Sequence, residues 1–155
     1  MVSTLASDAF TGTNGDALGA TWTNGEFPTG GSALIQSNAA RFTTGSAGGY
    51  AGMTSRKVNI TNPADAVWLM KFRWPTGDEC YPGVWMRANV DRLDGEAGYC
   101  FELNRPASNW KVFHTTAFDD TELATAAFTY TSNTWYWVRC GAVGSALKFK
   151  LWADG

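Results

Sequence analysis

The C-terminal part of the chain reads Thr134-Trp-Tyr-Trp-Val-Arg-Cys-Gly-Ala-Val-Gly-Ser-Ala-Leu-Lys-Phe-Lys-Leu-Trp-Ala-Asp-Gly155. Side chains alternate in character along both halves of this stretch. The apolar positions that share a face are Tyr136, Val138 and Cys140 in the first half, and Leu147, Phe149 and Leu151 in the second. A period of two, interrupted by a glycine-containing turn at Gly144-Ser145, indicates a β-hairpin. The stretch therefore predicts two antiparallel strands.

The rest of the chain repeats this pattern of short alternating segments separated by turn residues. We predict strands at Ala33–Ser37, Arg41–Thr44, Tyr50–Ser55, Ala66–Trp74, Gly83–Ala88, Gly98–Asn104, Trp110–Thr115, Thr134–Gly141 and Ala146–Trp152. Many short strands in a chain of 155 residues with 17 glycines predict an all-β fold, a two-sheet antiparallel β-sandwich with little or no helix. Only Asp119–Ala127 has helical character, and loop or strand fits it equally well.

The segment Ala66–Trp74 is the strongest single strand. It is apolar on both sides for half of its length, which is typical of a strand covered on both faces. We therefore predict that it lies in the middle of a sheet.

Charge, hydropathy and cysteine content exclude several classes of protein. A net charge of −2 and a pI near 5.3 predict no nucleic-acid partner, because phosphate binding needs clustered Lys and Arg. No apolar run approaches the roughly 20 residues of a membrane span, so no membrane insertion is predicted. Residues Met1–Asp8 lack the basic and apolar regions of a secretory signal. Either a secretory signal has already been removed, or the protein is made and assembled inside a cell.

The three cysteines are predicted to be free thiols. They are Cys80, Cys100 and Cys140, an odd number without C-x-x-C spacing, so neither a disulfide framework nor a zinc site is indicated.

The outward face of the predicted hairpin combines indoles with cations. Exposed indoles can stack on sugar rings, while Lys and Arg donate hydrogen bonds to hydroxyls or carboxylates, and the same residue types form protein contacts. The alternative is that the indoles pack under cations that lie over them. With two residues of the Gly83–Ala88 strand added, the predicted ligand-binding residues are Trp85, Arg87, Trp137, Arg139, Lys148, Lys150 and Trp152.

Two segments and the hairpin together resemble a known family. The opening Asp8-Ala-Phe-Thr-Gly-Thr-Asn-Gly-Asp-Ala-Leu-Gly-Ala-Thr-Trp22 is similar to the "D-x-F…(N/D)-G-x-x-L…W" start of concanavalin A-like (LamG-like) jelly-roll domains. The strand Ala97-Gly-Tyr-Cys-Phe-Glu-Leu103 resembles their central "G-Y-x-(F/L)-x-(L/F)", and the hairpin resembles their closing "T-W-Y-x-(V/L)-R…W-x-D-G". The order of the three motifs carries the resemblance.

The resemblance implies a single concanavalin A-like jelly-roll domain over residues 1–155. Family members usually continue past "W-x-D-G" with one or two strands that close the sandwich. Three alternatives stay open: a shorter domain, a piece of a longer polypeptide, or a partner chain that supplies the missing edge.

Oxygen ligands near the N-terminus make calcium a candidate ion. Asp8, Asn14 and Asp16 surround the turn Gly12–Gly15, and hard cations take oxygen ligands from such loops. The resemblance adds Asp154, because similar jelly rolls often join these two regions through a structural calcium. The alternative is that the two N-terminal aspartates only cap turns. No cofactor is predicted to be required.

Catalysis is not predicted. Jelly-roll glucanases carry an E-x-D-x-x-E strand whose two acids flank the scissile bond, and this chain has no such string. Glu102 has no acidic partner two residues away, and His114 is the single histidine, with no Ser or Cys that the strand pattern places near it.

The predicted function is therefore non-enzymatic binding or adhesion. Similar domains without signal peptides are frequent in tailed-phage structural proteins, so the resemblance implies a virion-surface component, a capsid decoration or tail protein assembled in the host cytoplasm. Other coat chains, cell-surface glycans and further copies of the chain are the implied partners. The alternatives are a secreted, extracellular carbohydrate-binding module and a jelly-roll glucanase.

Overall fold

The computed structural model describes residues 8–19, 22–27, 32–43, 52–57, 65–74, 81–87, 97–104, 106–116 and 119–155. Within these ranges the regular structure is entirely β-strand, in antiparallel sheets, which confirms the all-β prediction. A helix long and apolar enough to cross a membrane does not occur in them. The chain forms two compact units, Met1–Thr61 and Asn62–Gly155.

The first unit contains two strand pairs and a small core. Strand β1 (Trp22–Phe27) pairs with β4 (Gly52–Lys57), and β2 (Ser32–Ile35) pairs with β3 (Ala40–Thr43). The buried residues Leu18, Ala33 and Ile35 form this core, and Phe10, Trp22 and Ala40 pack against it.

The second unit contains two larger sheets. The three-stranded sheet has the order β11-β10-β5 and consists of β5 (Ala66–Arg73), β10 (Trp135–Val143) and β11 (Ala146–Ala153). The four-stranded sheet has the order β6-β7-β8-β9 and consists of β6 (Gly83–Met86), β7 (Ala97–Asn104), β8 (Asn109–Thr116) and β9 (Asp119–Ala127).

One hydrophobic core is shared by these two sheets. Its buried residues are Trp74, Met86, Phe101, Leu103, Val112, Tyr136, Val138, Cys140 and Ala142. Phe101 of β7 stacks on Phe149 of β11 with 5.4 Å between ring centroids, so side chains of both sheets meet directly. The second unit is therefore sandwich-like. The jelly-roll connectivity and the single-domain organisation stay predictions.

The predicted hairpin is confirmed as β10 and β11. Val143 pairs with Ala146, which leaves Gly144 and Ser145 as a two-residue turn. Gly144 has φ 54°, and a glycine at the first central position is typical of type II′ hairpin turns. The alternation is also confirmed, because the predicted inner residues of β10 are buried.

The predicted position of β5 is wrong. This strand lies at one end of the described three-stranded sheet, and β10 occupies the middle because the hairpin gives it β11 on its other side. Val67 and Leu69 are 49% and 58% exposed, so the face that carries them is not covered. Apolar residues on both sides of a strand did not here signify burial on both sides.

The other predicted strands are present, and the predicted strand residues Thr44, Tyr50, Ala51 and Ala88 lie outside the described residues. Two strands were not predicted. The first is β1, and the second is β9, which occupies the segment left open between helix, loop and strand. Cys100 and Cys140 are buried and are not joined in a disulfide, as predicted, and desolvation raises the pKa of the Cys140 thiol to about 12. Cys80 lies outside the described residues.

Candidate functional site

The outer face of the three-stranded sheet brings aromatic and cationic side chains together. We call it the Trp–Lys face, and its aromatic and charged residues are Lys71, Arg73, Trp135, Trp137, Arg139, Lys148, Lys150, Trp152 and Asp154. Side chains on a strand alternate between the two sides, so every second residue of each of these strands points away from the core. The opposite side carries the buried core residues of β10.

The strand register arranges this face in cross-strand rows. One row runs Trp152–Trp137–Lys71, the next Lys150–Arg139–Leu69, and the next Lys148–Gly141–Val67. Beyond the first row Trp135 pairs with Arg73, and the Asp154 backbone N–H donates to the Trp135 carbonyl at 2.8 Å. Residues within a row are neighbours on adjacent strands, so their side chains can act on one ligand.

Two indoles form the centre of the face. The rings of Trp137 and Trp152 are nearly parallel, with 17° between their planes and 6.4 Å between their centroids. Both side chains are half-buried. The Trp137 Nε1–H donates to Asp154 Oδ1 at 2.9 Å, which fixes the orientation of its ring.

Asp154 links three strands at one edge of the face. It follows β11, accepts the indole N–H from β10, and forms an ion pair with Lys71 Nζ on β5. The hydrogen bond from Lys71, followed by that from Trp137, lowers the pKa of the Asp154 carboxyl below its ordinary value. This carboxylate is therefore bound between an ammonium and an indole.

Cations lie close to the indole rings of the face. Lys150 Nζ is 5.1 Å from the centroid of Trp152, and Lys71 Nζ is 5.3 Å from that of Trp137. The Arg73 guanidinium carbon is 5.1 Å from the centroid of Trp135. The predicted alternative, cations lying over indoles, is thus present together with the outward placement of the face. At exposed sites such a contact stabilises by about 0.5–1 kcal/mol.

The face has an excess of positive charge. It holds five cationic side chains and one carboxylate. Arg139, Lys148 and Lys150 are exposed, and in the described part of the chain they form no ion pair. Positive charge is therefore concentrated on one sheet face of a chain whose net charge is −2.

Five of the seven predicted ligand-binding residues lie on this face, and Trp85 and Arg87 do not. Val84 and Met86 of β6 pack into the core, which puts Trp85 on the opposite side of the four-stranded sheet. Arg87 follows the end of β6 and has φ 54°. The structure brings neither residue to the Trp–Lys face.

Arg87 instead holds the turn of the hairpin. Its Nη2 donates to Gly144 O at 2.6 Å and to Asp65 Oδ1 at 3.0 Å. The same Asp65 oxygen accepts the Gly144 N–H at 3.0 Å. Both backbone groups of the turn glycine are therefore satisfied by a side-chain pair, and this contact is structural.

The three N-terminal residues predicted as calcium ligands accept hydrogen bonds from backbone N–H groups. Asp8 Oδ1 accepts the Phe10 N–H at 2.8 Å, and Asp16 Oδ2 accepts the Thr13 N–H at 2.9 Å. Asn14 Oδ1 accepts the Ser37 N–H at 2.8 Å.

These bonds match the turn-capping alternative for the two aspartates. Asp154 belongs to the second unit and is engaged by Lys71 and Trp137. Among the described residues there is no group of three or more His, Cys, Asp or Glu arranged to hold a metal ion. The calcium site stays a prediction.

Carboxylates of β9 are engaged with the neighbouring strand. Asp120 Oδ1 accepts the Thr115 hydroxyl at 2.5 Å, and Glu122 forms an ion pair with Lys111 at 3.0 Å. His114 lies against Tyr99, with 5.0 Å between ring centroids. These contacts assign structural partners to Asp120, Glu122 and His114.

Sequence reasoning missed Trp135 and the β5 cations of this face. Period two places Trp135 on the same side of its strand as Trp137, so the signal was available. Lys71 and Arg73 were recognisable as solvent-facing, but no spacing rule indicates that their strand lies beside β10. That neighbour is set by long-range pairing.

No family model, curated protein or solved structure matches the chain. The concanavalin A-like resemblance therefore stays a prediction based on its motifs.

Proposed function

We propose that the protein is a non-enzymatic binding module that holds a glycan on its Trp–Lys face. The observation that carries this proposal is the nearly parallel pair Trp137 and Trp152 on an outer sheet face that also carries five cations. Indole rings present a flat apolar surface with a polar N–H, and they need little conformational ordering to bind. A sugar ring has an apolar C–H face and hydroxyl edges, which matches this combination.

The rigidity of the face supports binding more than chemistry. The central strand β10 is paired on both sides, and its inner residues are buried in the core. Trp137 is fixed by Asp154, so little entropy is lost when a ligand contacts it. The one carboxylate of the face is engaged by an ammonium, whereas a glycosidase needs two carboxyl groups across the scissile bond.

The motif resemblance supports a setting for this module. We propose that the chain is a structural component of a tailed-phage virion surface, where other coat chains are its partners. Binding of cell-surface glycans fits that location, because a surface component meets the host envelope. Imaging of the particle with the chain labelled tests this location, and absence of the label from the virion contradicts it.

A glycan array with the native protein and two variants tests the binding function. Trp152→Ala removes one indole of the pair, and we expect at least about a tenfold loss of affinity, since an aromatic contact contributes about 0.5–1.5 kcal/mol beyond its buried area. The matched control is Tyr81→Ala, which removes an aromatic side chain that is 55% exposed and lies off the face.

The control variant should bind like the native protein, and circular dichroism checks that both variants fold. Equal loss in the two variants, or no glycan bound by the native protein, contradicts the proposed function. Release of reducing sugar from a bound glycan contradicts the non-enzymatic part of the proposal.

A further inference from the structure

We infer that the ligand of the Trp–Lys face is an anionic polysaccharide, whose sugar rings lie on the indoles while its charged groups contact Arg139, Lys148 and Lys150. This inference rests on the proposed function and adds the chemical class of the glycan. The shared chemistry is a carboxylate or sulfate group on a sugar ring. Four features of the face carry the argument.

The first feature is an anion site that the chain itself fills. The Asp154 carboxylate accepts the Trp137 indole N–H at 2.9 Å and pairs with Lys71. An indole edge and an ammonium on adjacent strands thus already bind a carboxylate on this face. Charge-assisted hydrogen bonds of this kind are about twice as strong as neutral ones.

The second feature is that the neighbouring row has cations without such a carboxylate. Lys150 and Arg139 lie side by side in the strand register, and Lys148 lies two residues further along β11. In the described part of the chain no acidic side chain pairs with these three cations. An anionic group of a ligand can pair with these three cations.

The third feature is the spacing of the charges. Residues two apart on one side of a strand are separated by about 7 Å, because a strand rises about 3.4 Å per residue. Lys148, Lys150 and Trp152 therefore form a column along β11 with about 7 Å between successive residues, which a linear polymer can follow. A chain of sugars with charged groups can contact successive positions of this column.

The fourth feature concerns the lysines that lie over the indoles. A sugar that stacks on Trp152 must displace the Lys150 ammonium, which lies 5.1 Å from the ring centroid. A neutral sugar that stacks on Trp152 removes the cation–π contact of the Lys150 ammonium and gives this ammonium no ionic partner in return. An anionic sugar offers a carboxylate or sulfate to the displaced ammonium, so the cation–π contact over the ring is replaced by a stronger charge-assisted hydrogen bond.

Two other anionic polymers share part of this chemistry. Single-stranded nucleic acid also combines negative charge with stacking rings, but its binding needs a positive groove along many phosphates, and this chain has a net charge of −2. An acidic polypeptide supplies carboxylates without sugar rings. Both polymers are included as probes, so that the measurement decides among the three.

The experiment is calorimetric titration of the full chain with matched polymer pairs. Polygalacturonate is compared with its fully methyl-esterified form, and dextran sulfate with dextran, so that the members of each pair share a sugar backbone and differ in whether it carries anionic groups. Oligo(dT) and poly-L-glutamate are the remaining probes. We expect at least about tenfold tighter binding of the anionic member of one pair, with affinity that falls as salt is raised. The pair that responds distinguishes carboxylate from sulfate.

Charge-removing variants locate the binding. Arg139→Gln and Lys150→Gln should each weaken binding of the anionic polymer about three- to tenfold. The matched control Arg41→Gln removes one exposed cation from another sheet and should leave the affinity unchanged. All three positions are exposed, so the variants are expected to keep the native melting temperature, which is measured for each.

The outcomes separate the inference from the proposed function. Equal affinity for charged and neutral members overturns the inference and leaves the proposed function intact, whereas binding of no polysaccharide overturns both. Tighter binding of oligo(dT) or poly-L-glutamate than of either anionic polysaccharide overturns the inference. An equal loss in Arg41→Gln overturns the assignment to this face.

Discussion

Asp154 illustrates how much of the candidate site depends on single residues. One carboxylate contacts an ammonium on β5 and an indole N–H on β10, while its own backbone N–H extends the pairing of β11. It therefore orients Trp137 and joins all three strands at the edge of the Trp–Lys face. Protonation of this group would remove the charge that attracts Lys71.

The titration of Asp154 gives a prediction at this scale. The pKa of the carboxyl is lowered in the folded protein, first by the hydrogen bond from Lys71 and then by that from Trp137. For an acid with a lowered pKa, the stabilising contribution is present above the unfolded pKa and is lost as the pH falls through the folded pKa. We expect the Trp137 indole N–H resonance to shift with a midpoint below the ordinary aspartate value of 3.8.

The control for this titration is Asp154→Asn, in which that resonance should not shift over the same pH range. Trp22 serves as an internal comparison, because its indole N–H donates to a different carboxylate, Asp8, at 2.7 Å. A midpoint for Trp137 above 3.8, or an unchanged titration in the variant, would contradict the assignment.

At the scale of secondary-structure elements, the hairpin β10–β11 depends on its turn. Gly144 has φ 54°, and a Cβ built there meets no atom within 4 Å. Glycine is therefore favoured at this position by its backbone conformation and not by a lack of space. Gly144→Ala should lower the free energy of unfolding by about 1 kcal/mol, because a side chain in this region of φ is strained. Urea denaturation measures the difference.

The matched control is Gly155→Ala, which also adds a methyl group in open space but without a left-handed backbone. It should leave the unfolding midpoint unchanged. Should the two variants lose the same stability, the loss could not be due to the turn conformation.

The elements also show what a sequence pattern can and cannot predict. Strands such as β7 and β10 were predictable because burial on one side produced alternation. Strand β9 gave no such pattern, because all nine of its residues are exposed, and it is held by backbone pairing to β8 with a bulge near Leu123. Pattern reasoning detects burial, which an exposed edge strand does not have.

Some residues of the candidate site were likewise predictable from the sequence and others were not. The outward residues of the hairpin were predictable, because the turn fixes which strands pair and in which register. The contribution of β5 was not, since Lys71 reaches Trp137 only through pairing of strands more than sixty residues apart. Trp85 looked equivalent in sequence, but its strand belongs to the other sheet.

At the scale of the whole molecule, the described residues form two hydrophobic cores. Among the described residues, one core is formed entirely within Met1–Thr61 and the other entirely within Asn62–Gly155. The larger core contains aromatic residues from both sheets of the second unit, with Trp74 in edge-to-face contact with Phe72 and Tyr130. The Trp–Lys face lies wholly on this unit.

This division predicts that residues 62–155 fold on their own. A domain of that size can be stable when it has its own core, and burial of each large side chain contributes about 1.5–3 kcal/mol before the chain entropy is subtracted. The isolated fragment should therefore unfold cooperatively in urea. Its indole N–H resonances from Trp137 and Trp152 should overlay those of the full chain, because the contacts of both rings lie within the fragment. A fragment with Trp74→Ala is the control that should lose cooperativity, since this side chain is 2% exposed at the centre of the core. A native fragment that unfolds without a cooperative transition would show that residues 1–61 complete one domain with it, as the motif resemblance implies.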